Sequence, residues 1–338
     1  MDASPDSFAG PTPPPSSRDL VEQVVGKVLS RFRVAAVEKL AGGKSNTMLK
    51  VSFESPDDPV VVRVYDRDPS AIHRELAILD LVRATVPVPV VLHTEPAGTI
   101  IGRPFVILRY VEGITFHQLT TIGDIGAVHA AARSVGQTLA AIGRHTWPAT
   151  TGRARWTARP HTGNDAADVL TSFGELCAST VLRQRIGERS LNQMREFVRT
   201  WSPRLAQELR VPQLVHGDFW QGNILVRRES GRWKVAAILD WESASLGSCL
   251  RDIGVFLRYE CARDPVLEPH LSRAFLEAGG CLPEGWQQIA RLYDLFTVCK
   301  RLTVPALADG VVRELYEVIE ALAQTQANGE MGKVRLVE

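Results

Sequence analysis

Short Val-rich segments with alternating apolar and polar positions dominate the chain up to Tyr110, and apolar residues three and four apart dominate after Thr115. Val34 to Leu40, Thr47 to Phe53 and Val60 to Tyr65 read as strands, because β-branched side chains suit a pleated, half-buried surface. Ile72, Leu76, Leu79 and Val82 then fall on one helical face, and Pro87 and Pro89 stop that helix. Ile100-Ile101 and Phe105 to Leu108 are expected to form a hairpin around Gly102-Arg103-Pro104. Beyond Thr115, Ile125, Val128, Ala132, Val135, Leu139 and Ile142 make one stripe, with Asp124 placed to cap it. Further helices are expected around 167–187, 190–209, 248–261, 267–278, 284–303 and 311–326. One strand-rich island interrupts them: Asn223 to Val226 and Val235 to Leu239, joined through Glu229-Ser230-Gly231. The pattern predicts an α+β protein with a small antiparallel β-rich lobe over 18–111 and a larger, mostly helical lobe over 112–326.

Composition narrows this picture. Residues 1–17 carry five prolines among Ser, Thr and Gly and cannot bury a core; they and the aperiodic 327–338 are expected to be tails. A net charge of +1 gives no global field for nucleic acid or a membrane surface, and neither is expected as a partner. Five cysteines without a CxxC pair, and an acidic start without an apolar run, point to free thiols in the cytoplasm rather than to secretion.

The candidate chemistry flanks the island. His216-Gly217-Asp218-Phe219-Trp220-Gln221-Gly222-Asn223 has the form H-x-D-x-x-x-x-N, and Ile238-Leu239-Asp240-Trp241-Glu242 ends an apolar run in an acid. Moving a phosphoryl group is mostly positioning and charge stabilisation. A carboxylate must orient the acceptor hydroxyl and take its proton, which suits Asp218. Magnesium prefers few protein oxygens, which suits Asn223 and Asp240 as its ligands. His216 is expected to support the loop through its ring, and Asp252 to brace the loop or cap the following helix.

The first half supplies candidate nucleotide contacts. Leu40-Ala41-Gly42-Gly43-Lys44-Ser45-Asn46-Thr47 joins two predicted strands. Gly42, Gly43, Ser45 and Asn46 would present backbone N–H groups to phosphate, although Gly-Gly also serves as a plain hairpin turn. Arg63, inside an apolar strand, needs a partner, and Glu75 is expected to pair with it while Arg63 touches the α and β phosphates. Backbone groups of Arg109, Tyr110 and Val111 are expected to meet an adenine edge.

These motifs resemble the aminoglycoside phosphotransferase family, within the protein-kinase-like superfamily that includes choline and fructosamine kinases. His216 to Val226, Ile238 to Glu242 and the stretch from Ala244 to Gly254 carry the resemblance, which covers approximately 30–325. It implies a bilobal protein-kinase-like fold, ATP or GTP as donor and Mg2+ as cofactor. It also implies Asp218 as the base and Asn223 and Asp240 as metal ligands. Arg63 stands where many such enzymes carry Lys; its planar, fixed charge keeps the phosphate contact with a different geometry.

The acceptor is expected to be a small hydroxylated metabolite or antibiotic. The arginines from Arg183 to Arg210 read as a solvated surface, while Glu242, Glu260, Asp264 and Glu268 place acids near the predicted site. A non-catalytic nucleotide-binding module is the alternative. A metal-dependent hydrolase lacks a second His/Asp cluster, and a protein kinase would carry D-F-G and A-P-E segments.

Overall fold

A computed structural model describes residues 17–40, 46–55, 58–146, 166–208, 212–262 and 266–334. Contacts divide the chain into two compact units, Met1–His73 with Pro89–Tyr110 and Arg74–Val88 with Val111–Glu338.

The first unit opens with helix α1 (Ser17–Val28), which the strand-centred reading of this region does not contain. Leu20, Val21, Val24 and Val25 recur at helical spacing and are buried. Strands β1 (Val34–Lys39), β2 (Thr47–Phe53) and β3 (Val60–Val64) follow close to their expected bounds. Together with β4 (Val91–Glu95) and β5 (Phe105–Arg109) they form one five-stranded antiparallel sheet, ordered β1-β2-β3-β5-β4. The apolar face of α1 packs with Leu49, Val51, Phe53, Val60, Val62, Val64, Phe105 and Ile107. Each such side chain fully removed from water contributes about 1.5–3 kcal/mol.

The expected hairpin partner of β5 is corrected here. Ile100 and Ile101 lie in a turn, and β5 pairs instead with β3 and β4. Strand β4 hides in the sequence because it is an edge strand with mixed polar positions, Val-Leu-His-Thr-Glu, and a register shift between Val91 and His93.

Helix α2 (Ala71–Val82) crosses the boundary in sequence, and most of it belongs to the second unit rather than to residues 18–111 as a block. The chain after it is tied into the second unit by the Ile238 N–H, which donates to the Pro87 carbonyl at 2.8 Å. Strand β6 (Ile114–Thr115) leads into α3 (Phe116–Ile122), where Thr115 and Gln118 close a reciprocal capping box. Helix α4 (Ile125–Gly143) carries the predicted stripe, and the Asp124 carboxylate accepts from Ala127 N–H at 2.9 Å.

Helix α5 (Ala166–Ala178) precedes α6 (Thr180–Glu208), which is broken at Gly187 by a non-helical φ of 74°. Strands β7 (Gln213–Val215), β8 (Ile224–Glu229), β9 (Arg232–Ile238) and β10 (Ser245–Gly247) follow. Helices α7 (Leu250–Phe256), α8 (Glu268–Glu277), α9 (Trp286–Leu302) and α10 (Asp309–Val334) complete the unit. The expected C-terminal tail is helical through Val334.

The β8–β9 hairpin forms as expected, and β6 adds a third strand beside β8. Helix α4 packs on α8 and on β9, and α9 packs on α6 and α7. Among the described residues, no helix is long and apolar enough to cross a membrane.

Candidate active site

The site is built from two short antiparallel pairings in the second unit. Strands β7 and β10 pair Val215 with Ser245, which brings the loop starting at His216 beside the segment that ends at Ala244. The β8–β9 hairpin pairs Ile224 with Ile238, and the Leu239 N–H donates to the Asn223 carbonyl at 2.8 Å. Asn223 therefore lies opposite Leu239, one residue before Asp240. Asn223 and Leu239, 16 positions apart in sequence, are adjoined by register.

Asp218 and Asn223 touch. The Asn223 amide Nδ2 donates to the Asp218 carbonyl at 2.9 Å and to its Oδ2 at 3.1 Å. With its Nδ2 engaged on Asp218, Asn223 keeps its amide oxygen as an acceptor. Asp240 adopts φ 65° and ψ 67°. That left-handed conformation is uncommon outside glycine, and a non-glycine residue held there stores strain of order 1–3 kcal/mol. Trp241, fully buried, anchors the strained turn by donating Nε1–H to the Ile238 carbonyl at 3.2 Å.

His216 is buried and holds the two segments together. Its Nδ1 accepts from the Asp218 N–H at 3.3 Å, so Nε2 carries the proton and donates to the Leu239 carbonyl at 2.9 Å. Trp241 packs edge-on against its ring at a centroid separation of 4.6 Å, and Phe219 at 5.7 Å. Both ring nitrogens are thus engaged inside the loop, as the supporting role predicts.

Asp252, 1% exposed on α7, accepts the backbone N–H groups of His216 at 2.7 Å and Gly217 at 2.9 Å. Burial pushes its carboxyl above the usual range, against the opposing pull of those two N–H donors. The brace leaves Gly217 at φ 84°, where an added Cβ would stand 2.3 Å from the Ser243 carbonyl oxygen.

Among the described residues, no group of three or more His, Cys, Asp or Glu side chains could hold a metal. A carboxylate and an amide are too few for a structural metal, but they fit magnesium, which keeps water and phosphate as its other ligands.

The first-unit candidates are less uniformly visible. Gly42, Gly43 and Ser45 lie outside the described residues, and Asn46 is buried at the start of β2. Just after it, the Thr47 N–H donates to Asp66 at 2.9 Å, and Asp66 also pairs with Arg103. Arg63 is 3% exposed within β3, its guanidinium 5.3 Å from the Tyr65 ring centre. Glu75 is buried on α2. The N–H groups of Arg109 and Tyr110 are spent inside the sheet, on Val90 at 2.9 Å and Pro59 at 3.0 Å. Val111 follows directly after them.

Some acids and bases near the motifs prove structural. Glu260 accepts from the N–H groups of Val266, Leu267 and Glu268 at the start of α8, while Asp264 lies outside the described residues. Arg185 donates to the carbonyls of Leu302, the last residue of α9, and of Val304 and Pro305 just beyond it. The sequence reading missed the buried bidentate pair of Arg258 and Asp294, with a shortest contact of 2.7 Å. Asp294 carries the same signal as Arg63, a charge inside an apolar run, Leu292-Tyr293-Asp294-Leu295.

The family model described as phosphotransferase enzyme family matches residues 36–292, and the chain belongs to this family. Solved structures that it resembles in fold include aminoglycoside phosphotransferases. The GDP and kanamycin complex of APH(2")-IIIa aligns with a TM-score of 0.69 at 16% identity, over 91% of this chain and 99% of that one. A ternary complex of a thermostable APH(4)-Ia mutant with AMP-PNP and hygromycin B gives 0.62 at 18% identity, over 90% and 98%. Mouse acyl-CoA dehydrogenase family member 10 is 29% identical over 201 residues, 56% of this chain but only 16% of that protein's length. The fold is the bilobal kinase-like α+β arrangement, a five-stranded antiparallel sheet followed by a mostly helical part.

Proposed function

We propose that this chain transfers the γ-phosphoryl group of ATP or GTP to a hydroxyl of a small molecule. The contact of Asn223 with Asp218, together with the register that sets Asn223 opposite Leu239, the residue before Asp240, supports this reading. Asp218 is assigned to orient the acceptor hydroxyl and take its proton. The acceptor oxygen forms a bond to the γ-phosphorus, the bond from that phosphorus to the bridging oxygen breaks, and the nucleoside diphosphate leaves. Asn223 and Asp240 would hold magnesium, which when bound neutralises charge on the phosphate oxygens. His216 and Asp252 keep the loop in place and take no proton from substrate.

The nucleotide is assigned to Gly42, Gly43, Ser45, Asn46 and Arg63 at its phosphates, with Glu75 as the expected acidic counterpart of Arg63. The segment Arg109 to Val111 is assigned to its adenine edge. With the preceding two N–H groups spent, the N–H of Val111 is the donor proposed there. The nucleotides and aminoglycosides named in the related complexes support a nucleotide donor and a hydroxylated acceptor. The cysteine pattern, five residues without a CxxC pair, supports a cytoplasmic setting.

The test is nucleoside diphosphate release from Mg-ATP and Mg-GTP across a panel of alcohols, sugars and antibiotics. Asp218→Asn should lower kcat by about 100- to 10,000-fold, the range for losing a positioned proton acceptor, while the thermal midpoint stays unaltered. Full activity in that variant would remove Asp218 from the mechanism. Wild-type protein that binds nucleotide but turns over no acceptor would point to a nucleotide-binding module instead.

A further inference from the structure

Helix α7 grips the loop that carries Asp218 at two places. Near the start of the helix, Asp252 takes the N–H groups of His216 and Gly217. At its end, the Phe256 carbonyl accepts from the side-chain amide Nε2 of Gln221 at 3.2 Å. Gln221 opens the short 3-10 turn Gln221–Asn223, in which the Asn223 N–H donates to the Trp220 carbonyl at 2.9 Å. Gln221 thus lies inside the span that the Asn223 Nδ2 closes on Asp218 Oδ2 at 3.1 Å.

The last carbonyls of a helix have no intrahelical donor, and they form its negative end. Phe256 is the last residue of α7, and the Leu257 N–H that follows it is spent on Ile253 at 3.0 Å. The Gln221 amide therefore satisfies an orphan carbonyl and ties the loop to the helix in one bond. Helix α7 is in turn fixed on α9. A Cβ at Gly254 would stand 2.1 Å from the Ala290 carbonyl oxygen, so the two helices touch backbone to backbone, and Arg258 just past α7 pairs with Asp294. The buried Phe219 ring also lies 6.3 Å from that of Phe256, between centroids.

We propose that Gln221 is a positioning residue: its amide pins the second half of the loop to the end of α7, so that one helix holds the loop at both ends and fixes Asp218 relative to Asn223. This rests on the phosphotransferase reading above. Gln221 is assigned no contact with phosphate or acceptor and moves no proton.

The test compares Gln221→Met, which keeps the length and loses the donor, with Gln221→Lys, which restores a donor suited to a helix C-terminus. Residue-resolved hydrogen exchange reads the pin without turnover. In Gln221→Met the N–H groups of Asn223 and Leu239 should exchange about 3- to 10-fold faster, as expected for losing one hydrogen bond. Those of His216 and Gly217, held by Asp252, and those of α9 should keep wild-type protection. ADP release from Mg-ATP with the same panel of alcohols, sugars and antibiotics reads the consequence. Gln221→Met should lower kcat about tenfold or more at unchanged KM, with a thermal midpoint well above the assay temperature, and Gln221→Lys should recover most of the rate. Unchanged exchange at Asn223, faster exchange spread evenly over α9 as well, wild-type kcat in Gln221→Met, or no recovery in Gln221→Lys would each overturn the proposal. Absence of turnover in the wild-type protein would instead sink the phosphotransferase reading, and exchange at Asn223 would still decide whether Gln221 pins the loop.

Discussion

At the residue scale, the site depends on a few positions where chemistry and backbone geometry meet. Gly217 is the most constrained. Its φ of 84° and the 2.3 Å approach to the Ser243 carbonyl exclude any side chain without movement of the loop. Gly217→Ala is expected to cost about 1–3 kcal/mol in chemical denaturation. Because displacement of a catalytic group by about 1 Å can cost roughly 100-fold, kcat should fall by a similar factor. An alanine variant with wild-type stability and rate would show that the loop yields freely. Asp218, Asn223, Asp240, His216 and Asp252 were all legible as a motif, since each is a polar residue at a fixed spacing in an otherwise apolar setting. The left-handed backbone of Asp240 was not, because no feature of Leu239-Asp240-Trp241 in sequence distinguishes a strained turn from a strand end.

Between elements, buried charge and ring contacts lock the helical unit. The guanidinium of Arg258 lies against Asp294 of α9, both nearly excluded from water, and Asp294 offsets the penalty of burying that cation. Asp294→Ala should therefore destabilise by about 3–5 kcal/mol, measured by urea unfolding, with Arg258→Met combined with Asp294→Leu recovering most of the loss. No recovery in the double variant would mean that the pair itself, rather than an abandoned charge, holds the segment after α7 against α9.

A second contact, between α4 and α8, is sensitive to pH. His129 stacks on His270 at 3.9 Å, and the Arg133 guanidinium donates to the His270 Nδ1 at 3.3 Å. Burial first, then repulsion from His129 and Arg133, holds the His270 ring below its ordinary value of 6.5. The unfolded chain consequently takes up this proton more readily than the folded one. The stabilisation is complete above pH 6.5 and is lost as pH falls through the lower folded value. The thermal midpoint should drop across that interval, and His270→Gln should make the drop shallower; an identical slope would exclude His270 as its source. The capped stripe of α4 was readable from periodicity, whereas this packing against α8 joins residues more than 130 positions apart.

For the whole molecule, contacts divide the chain into two compact units, and the family match spans parts of both. A ligand that binds only the folded protein raises stability by mass action, about 2.7 kcal/mol at 100 times its Kd. ATP or GTP with magnesium should raise the thermal midpoint, and Asp240→Ala should abolish the magnesium-dependent part while keeping any nucleotide-only shift. The same shift in EDTA as in magnesium would argue against Asp240 as a metal ligand.

The amino-acid sequence by itself determined the α+β division, the periodic helices, the β8–β9 hairpin and the identity of the polar residues at the site. These follow from local physics: side-chain periodicity, turn residues and the cost of leaving charge in apolar surroundings. Tertiary structure decided which distant residues meet. Strand β4 joins β5 although Ile100-Ile101 lies nearer in sequence, α1 covers the sheet, Asp252 receives the N–H groups of His216 and Gly217, and Asp294 receives Arg258. Edge-strand pairing, a helix docking on a sheet and buried charge pairing are all settled by long-range packing, which local spacing does not encode.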